Sequence, residues 1–248
     1  MSRASSTLTS LLAEMVAVPS VNPEGDAGGS APGEEQMGRW LAAQLRGLGA
    51  DVELRWLAPG RPNVLGVFEP ARPAVATVVF APHLDTVGVA GMTVPPFELT
   101  RRAGRLHGRG ACDTKGPLAA LLWALKGWTR SRAARTGRVR WMVAATVGEE
   151  EGSAGARALV EAGFRADFAV ALEPTGLRVV HAAKGILRLW IETPGRAHHG
   201  AQPQRGDNAV YRMLPLALAL RDTLAPELAA IRHPVLGGAS LNLGVMQG

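Results

Sequence analysis

A chain of 248 residues, 47% of them apolar, has the material for one large domain, or one and a half smaller ones, around a packed core. Its single cysteine, Cys112, excludes an internal disulfide framework and any multi-thiolate metal site, so a metal here would be held by His, Asp and Glu. The net charge of +6 is carried almost wholly by arginines, which are scattered apart from modest clusters at 101–105 and 130–135 and have no interleaved aromatic residues, an arrangement that argues against a nucleic-acid partner.

In chain order, helix-period apolar positions predict helices over 7–18 and 34–48, separated by the Pro/Gly-rich loop PSVNPEGDAGGSAPGE, with Gly49 closing the second helix. The early apolar run LLAEMVAV at 11–18 is broken by Glu14 and lacks a signal-peptide cleavage site. No stretch reaches the roughly 20 apolar residues of a membrane span. The expectation is a cytoplasmic protein with no membrane partner.

Short β-rich runs follow at 51–57, 63–69 and 75–81, the last apolar on both faces as a buried central strand would be. A helix is predicted at 116–130, a strand at 138–147, a helix at 153–163, strands at 167–173 and 185–193, a helix at 207–221 and a strand at 239–246. The alternation predicts an α/β sandwich with a mostly parallel sheet. HLDT (83–86), GEEEGS (148–153) and LEPT (172–175) each come directly after an apolar strand, where an open α/β sheet gathers its binding residues.

Each cluster has a plain reading beside a functional one. His83 and Asp85 sit two apart, so strand alternation points them the same way, either as an imidazole capped by a carboxylate or as a metal ligand with its orienting group. Asp113, in GRGACDTKG, is either a helix N-cap or a carboxylate whose two oxygens bridge cations. Three successive carboxylates in GEEEGS are costly unless they lie in a solvated turn or face cations. Glu173 ends the run FAVAL, which looks wholly buried, so its carboxylate needs a partner. His198 and His199 are adjacent and point apart, so at most one is functional, while His107, His181 and His233 have no companion carboxylates and read as structural.

Taken together and in this order, HLDTV, GRGACDTKG, GEEEGS, LEP and GRAHHGAQPQRGDNA resemble the co-catalytic zinc metallopeptidases that include acetylornithine deacetylase, succinyl-diaminopimelate desuccinylase, aminoacylase and glutamate carboxypeptidase. The resemblance runs from residue 7 to residue 248. It implies a zinc-exopeptidase-like α/β/α sandwich over 1–180, and over 181–248 the first part of an inserted α+β lid or dimerisation domain. It also implies two zinc ions per complete subunit, with cobalt or manganese as substitutes. Asp113 would bridge them, His83 and Glu173 would complete the first site, and Glu150 would serve the second.

By the same likeness Asp85 orients a ligand, Glu149 is the general base, and His199 reaches from a partner subunit of a homodimer to stabilise an oxyanion. The implied reaction is hydrolysis of an amide bond in an N-acylated amino acid or small peptide by metal-activated water, as in deacylases, desuccinylases and carboxypeptidases. The family continues with the rest of the lid, which carries a substrate-binding arginine, and with a final histidine ligand. Neither has a counterpart before Gly248, so the chain is expected to be C-terminally incomplete. The alternative is a non-catalytic metal-binding or dimerising fragment.

Overall fold

The computed structural model describes residues 7–23 and 33–247, and the chain separates into two compact units, residues 1–177 and 178–248. The Pro/Gly-rich loop predicted between the first two helices lies largely outside the described residues.

The first unit opens with α1 (Leu8–Val16), whose N-cap Thr7 exchanges side-chain and main-chain hydrogen bonds with Ser10 in a capping box. Helix α2 (Glu34–Gly47) ends as predicted at Gly49, whose φ of +91° is open to glycine. The Gly49 N–H donates to the Arg46 carbonyl and the Ala50 N–H to that of Leu45, a Schellman closure. Strands β1 (Asp51–Ala58), β2 (Arg61–Phe68) and β3 (Ala76–Ala81) follow. The hairpin β4 (Thr100–Arg102) and β5 (Arg105–His107) comes next, then α3 (Lys115–Trp128) and the short α4 (Arg132–Thr136). Strand β6 (Val139–Ala145), α5 (Ala154–Glu161) and β7 (Phe168–Ala171) complete the unit.

The five-stranded sheet has the order β1-β2-β6-β3-β7. Strands β6, β3 and β7 are parallel, and β2 alone runs against the other four. The fold is therefore mixed α/β with a mostly parallel central sheet, as the alternation predicts. Met15 and Val16 of α1, Met37, Leu41 and Leu45 of α2, and Leu118 and Leu122 of α3 pack one face against Val64, Phe68, Val143 and Ala145. Each such side chain contributes on the order of 1.5–3 kcal/mol by leaving water. The opposite face is covered by α5 through Leu159, against Leu65, Val79 and Ala144. Gly66 admits the helix layer closely, because a Cβ there would stand 2.8 Å from Leu45 Cδ1.

Several expectations need correction. Run 75–81 is central by pairing, yet only Val79 of β3 is fully buried. FAVAL is not wholly buried: β7 is the last strand of the sheet, and Phe168 is 65% exposed. The β4–β5 hairpin was not legible as strand pairing, although Ala103 and Gly104, both at positive φ, make its two-residue turn.

In the second unit the predicted strands 185–193 and 239–246 are not strands. They have no ladder partner among the described residues and instead line a cavity of about 760 Å³ together with Val210 and Met213. An alternating sequence becomes a strand only where a neighbour takes up its N–H and C=O groups. The unit is built from α6 (Ala209–Ala219), which runs through a π-helical turn, Leu220–Leu224, into α7 (Ala225–Ala230), and from the two-residue ladder of β8 (Arg232–His233) with β9 (Gly237–Gly238).

Candidate metal centre

Parallel register sets the site. Phe80 pairs with Val143 and Ala81 with Ala171, so β3, β6 and β7 end together. The segments leaving those ends carry His83, Glu149–Glu150 and Glu173. A bridge between His83 and Thr146 continues the alignment past the strands.

His83 is 3% exposed and fixed through both ring nitrogens. Its Nδ1 donates to the main-chain carbonyl of Asp85 at 3.0 Å, with the Asp85 carboxylate 3.5 Å away, and its Nε2 lies 2.9 Å from Asp113 Oδ1. Burial opposes the charged ring, but the hydrogen bonds of Asp85 and Asp113 and the charges of Asp85 and Glu149 outweigh it, raising the His83 pKa to about 10.

Asp113 is not a helix cap. Thr114 occupies the N-cap position of α3 without a side-chain capping bond, and the Asp113–Thr114 peptide is cis. The Thr114 hydroxyl instead donates to the Leu172 carbonyl, tying the segment of Asp113 to the one that carries Glu173. Lys115 is buried with its ammonium donating to the Val18 carbonyl at 2.7 Å, and burial lowers its pKa to about 7.

One ligand atom each from His83, Asp113 and Glu173 lies within 4.8 Å of the others, a grouping that can hold a metal ion. Glu173 is exposed, so it is not the buried lone carboxylate expected. Its pKa is nevertheless raised, first by partial loss of water around the carboxyl and then by the charges of Asp113 and Glu149, against the pull of His83. Glu150 stands outside this triad but shares its field. Partial burial raises its pKa most, His83 opposes that, and Asp113, Asp85 and Glu149 reinforce it.

Asp85, 1% exposed, is the hub. Burial works against its charge, yet hydrogen bonds from His83 and from Asn22 Nδ2 at 2.7 Å, with the main-chain N–H of Glu149, bring its pKa below the ordinary value. The N–H groups of Glu149 and Glu150 donate to its two oxygens, each at 3.1 Å. The solvated-turn reading of GEEEGS therefore fails for its backbone, which is anchored next to His83.

Two residues that sequence reasoning missed complete the anchor. Glu34 Oε1 accepts the Gly148 N–H at 2.7 Å, and Asn63 Oδ1 accepts the Val147 N–H at 3.1 Å. Asn63 carried a signal, a buried amide inside an apolar strand. Glu34 carried none, since an acidic residue in the first turn of a helix is ordinary.

His199 belongs to the second unit. Its Nδ1 accepts the Ala201 N–H at 3.1 Å, which leaves the proton on Nε2. His233 Nδ1 accepts from Val235 and Leu236, a turn-forming role in keeping with its structural reading.

The donor set of imidazole and carboxylates without thiolate fits a hard or borderline divalent cation. The model for peptidase family M20/M25/M40 matches residues 79–232.

This chain belongs to the M20/M25/M40 peptidase family.

Succinyl-diaminopimelate desuccinylase of Gluconacetobacter diazotrophicus is 34% identical over 226 residues, covering 86% of this chain and 56% of that protein. Acetylornithine deacetylase of Myxococcus xanthus is 36% identical over 179 residues, covering 70% and 45%. An M20 family metallo-carboxypeptidase of Sulfolobus solfataricus superposes with a TM-score of 0.57 at 23% identity, covering 68% of this chain and 37% of that one, a likeness of fold. The chain thus spans about half the length of these curated relatives. Among its described residues no helix is long and apolar enough to cross a membrane.

Proposed function

We propose that the chain carries the catalytic core of a zinc-dependent hydrolase that cleaves the amide bond of an N-acylated amino acid or small peptide. The observation that carries this reading is the convergence of His83, Asp113 and Glu173 beside a carboxylate loop anchored on Asp85. His83, Asp113 and Glu173 would hold one zinc ion, and Asp113 with Glu150 would hold a second; cobalt or manganese suits the same donors. When bound, these ions lower the pKa of a water and polarise the amide carbonyl.

The chain's own residues do the rest. Asp85 keeps the His83 proton on Nδ1 and so leaves Nε2 as the ligand face. Glu149, exposed beside the triad, takes the proton of the attacking water and returns it to the leaving amine. His199, protonated on Nε2, is suited to donate to the developing oxyanion, in a homodimer formed through the domain that starts near residue 181. The names of the relatives, a desuccinylase and a deacetylase, make N-succinyl and N-acetyl amino acids the first substrates to try.

The test is metal analysis of the purified chain together with hydrolysis of a panel of N-succinyl and N-acetyl amino acids. Hydrolysis that a chelator abolishes and zinc restores is the expected result. Metal uptake without turnover would leave a metal-binding fragment as the better reading, and a chain that takes up no metal would sink both.

A further inference from the structure

Four successive main-chain amides, Val147 to Glu150, are each hydrogen-bonded to a buried side chain. Val147 donates to Asn63, Gly148 to Glu34, and Glu149 and Glu150 to Asp85. The acceptors come from three places in the chain: Asn63 from β2, Glu34 from the first turn of α2, and Asp85 from the segment after β3. Asn63 also donates through Nδ2 to the Gly155 carbonyl at 2.9 Å, so one amide side chain clamps both ends of the loop.

Glu34 is the costly member. It is fully buried, and its partner Arg61, with Nε 2.7 Å from Glu34 Oε2, is held largely out of water too. A buried ion pair of this kind does no better for stability than apolar residues of the same volume, so its presence calls for another explanation. Gly148 supplies it. Its φ is +71°, and a Cβ there would stand 2.8 Å from Arg61 Nη2, so the chain turns at this point against the Glu34–Arg61 pair.

We propose that Glu34 and Asn63 are positioning residues for the Glu149–Glu150 pair, holding the Val147 and Gly148 amides so that the two carboxylates leave the end of β6 in a fixed direction toward His83 and Asp113. Asp85 grips the loop from the His83 side. Glu34 and Asn63 grip it from the opposite end, where β6 gives out. The proposal rests on the reading of Glu149 and Glu150 as base and ligand, and it concerns the reach of Glu34 to Gly148 rather than its charge.

Two near-isosteric variants separate reach from charge. Glu34→Gln keeps the reach and gives up the charge, whereas Glu34→Asp keeps the charge and gives up one methylene of reach. Amide hydrogen exchange at Val147–Glu150 in the metal-free chain, referenced to the amides of α3, reads the loop directly, and a Co2+ titration followed by visible absorption reads the metal site. The expected result is that Glu34→Gln stays within about twofold of wild type in both, while Glu34→Asp and Asn63→Leu raise exchange at these amides about tenfold or more and weaken Co2+ binding, with α3 unchanged.

The reverse pattern, Gln disrupting and Asp sparing, would reduce Glu34 to an ion-pair partner of Arg61 and overturn the proposal. Unchanged exchange in every variant would do the same. A wild-type chain that binds no Co2+ would instead overturn the metal reading, and the exchange measurements would still decide for or against the positioning role.

Discussion

At residue 149 the chemistry and the architecture separate cleanly. The Glu149 main chain is pinned by Asp85 while the residue remains exposed, which is the arrangement a base needs: fixed origin, free carboxylate. Glu149→Ala is therefore expected to lower kcat about 10²–10⁴-fold, with zinc content unchanged by metal analysis. Asp113→Ala is expected to lose the metal itself, since it removes the carboxylate 2.9 Å from His83. The residues around this centre were legible in unequal measure. His83, Asp85, Asp113, Glu149, Glu150 and Glu173 all follow strand ends or a glycine-rich turn, where polar residues interrupt apolar runs. Glu34 was not legible, because it reaches the loop from 114 positions away and nothing in its own neighbourhood marks the reach, while Asn63, 84 positions away, showed only as an amide in an apolar strand.

Among the elements, α2 bears on the centre through its first residue, Glu34, which holds Gly148. Its inner face, Met37, Leu41 and Leu45, is fully buried against the sheet. Leu41→Ala is expected to cost about 2–5 kcal/mol in urea unfolding, the usual range for a fully buried leucine. The longer strands and helices of the first unit were legible from periodicity, whereas the β4–β5 hairpin and the short α4 were not. In the second unit the helix predicted at 207–221 is α6, but the strands were not legible: runs 185–193 and 239–246 read as strands, while a ladder depends on a neighbour that periodicity does not reveal.

For the whole molecule, the buried carboxyl of Glu34 leaves a mark on the dependence of stability on pH. Burial, the leading influence, outweighs the Arg61 and Gly148 hydrogen bonds and raises its native pKa above the ordinary 4.5. The native state then keeps this proton to higher pH than the unfolded chain does. Its contribution is fully present below pH 4.5 and is lost as pH rises through the native value. The difference in unfolding free energy between wild type and Glu34→Gln, taken by urea titration of the metal-free chain from pH 4 to pH 8, is expected to shift against the wild type as pH rises. A difference that stays flat would contradict the raised value.

Strand β7 is the outermost of the sheet, four residues long, bonded among the described residues only to β3 and largely bare to solvent. Glu173 leaves from its end. Such a strand frays far more often than the whole sheet opens, and each excursion would carry one of the three triad donors away. A metal ion held by all three would act as a latch on that strand, and the strand in turn as the door through which the ion departs. Zinc release to a chelator is thus expected to keep pace with amide exchange at 168–172 and to outrun global unfolding, a relation open to direct comparison of the three rates.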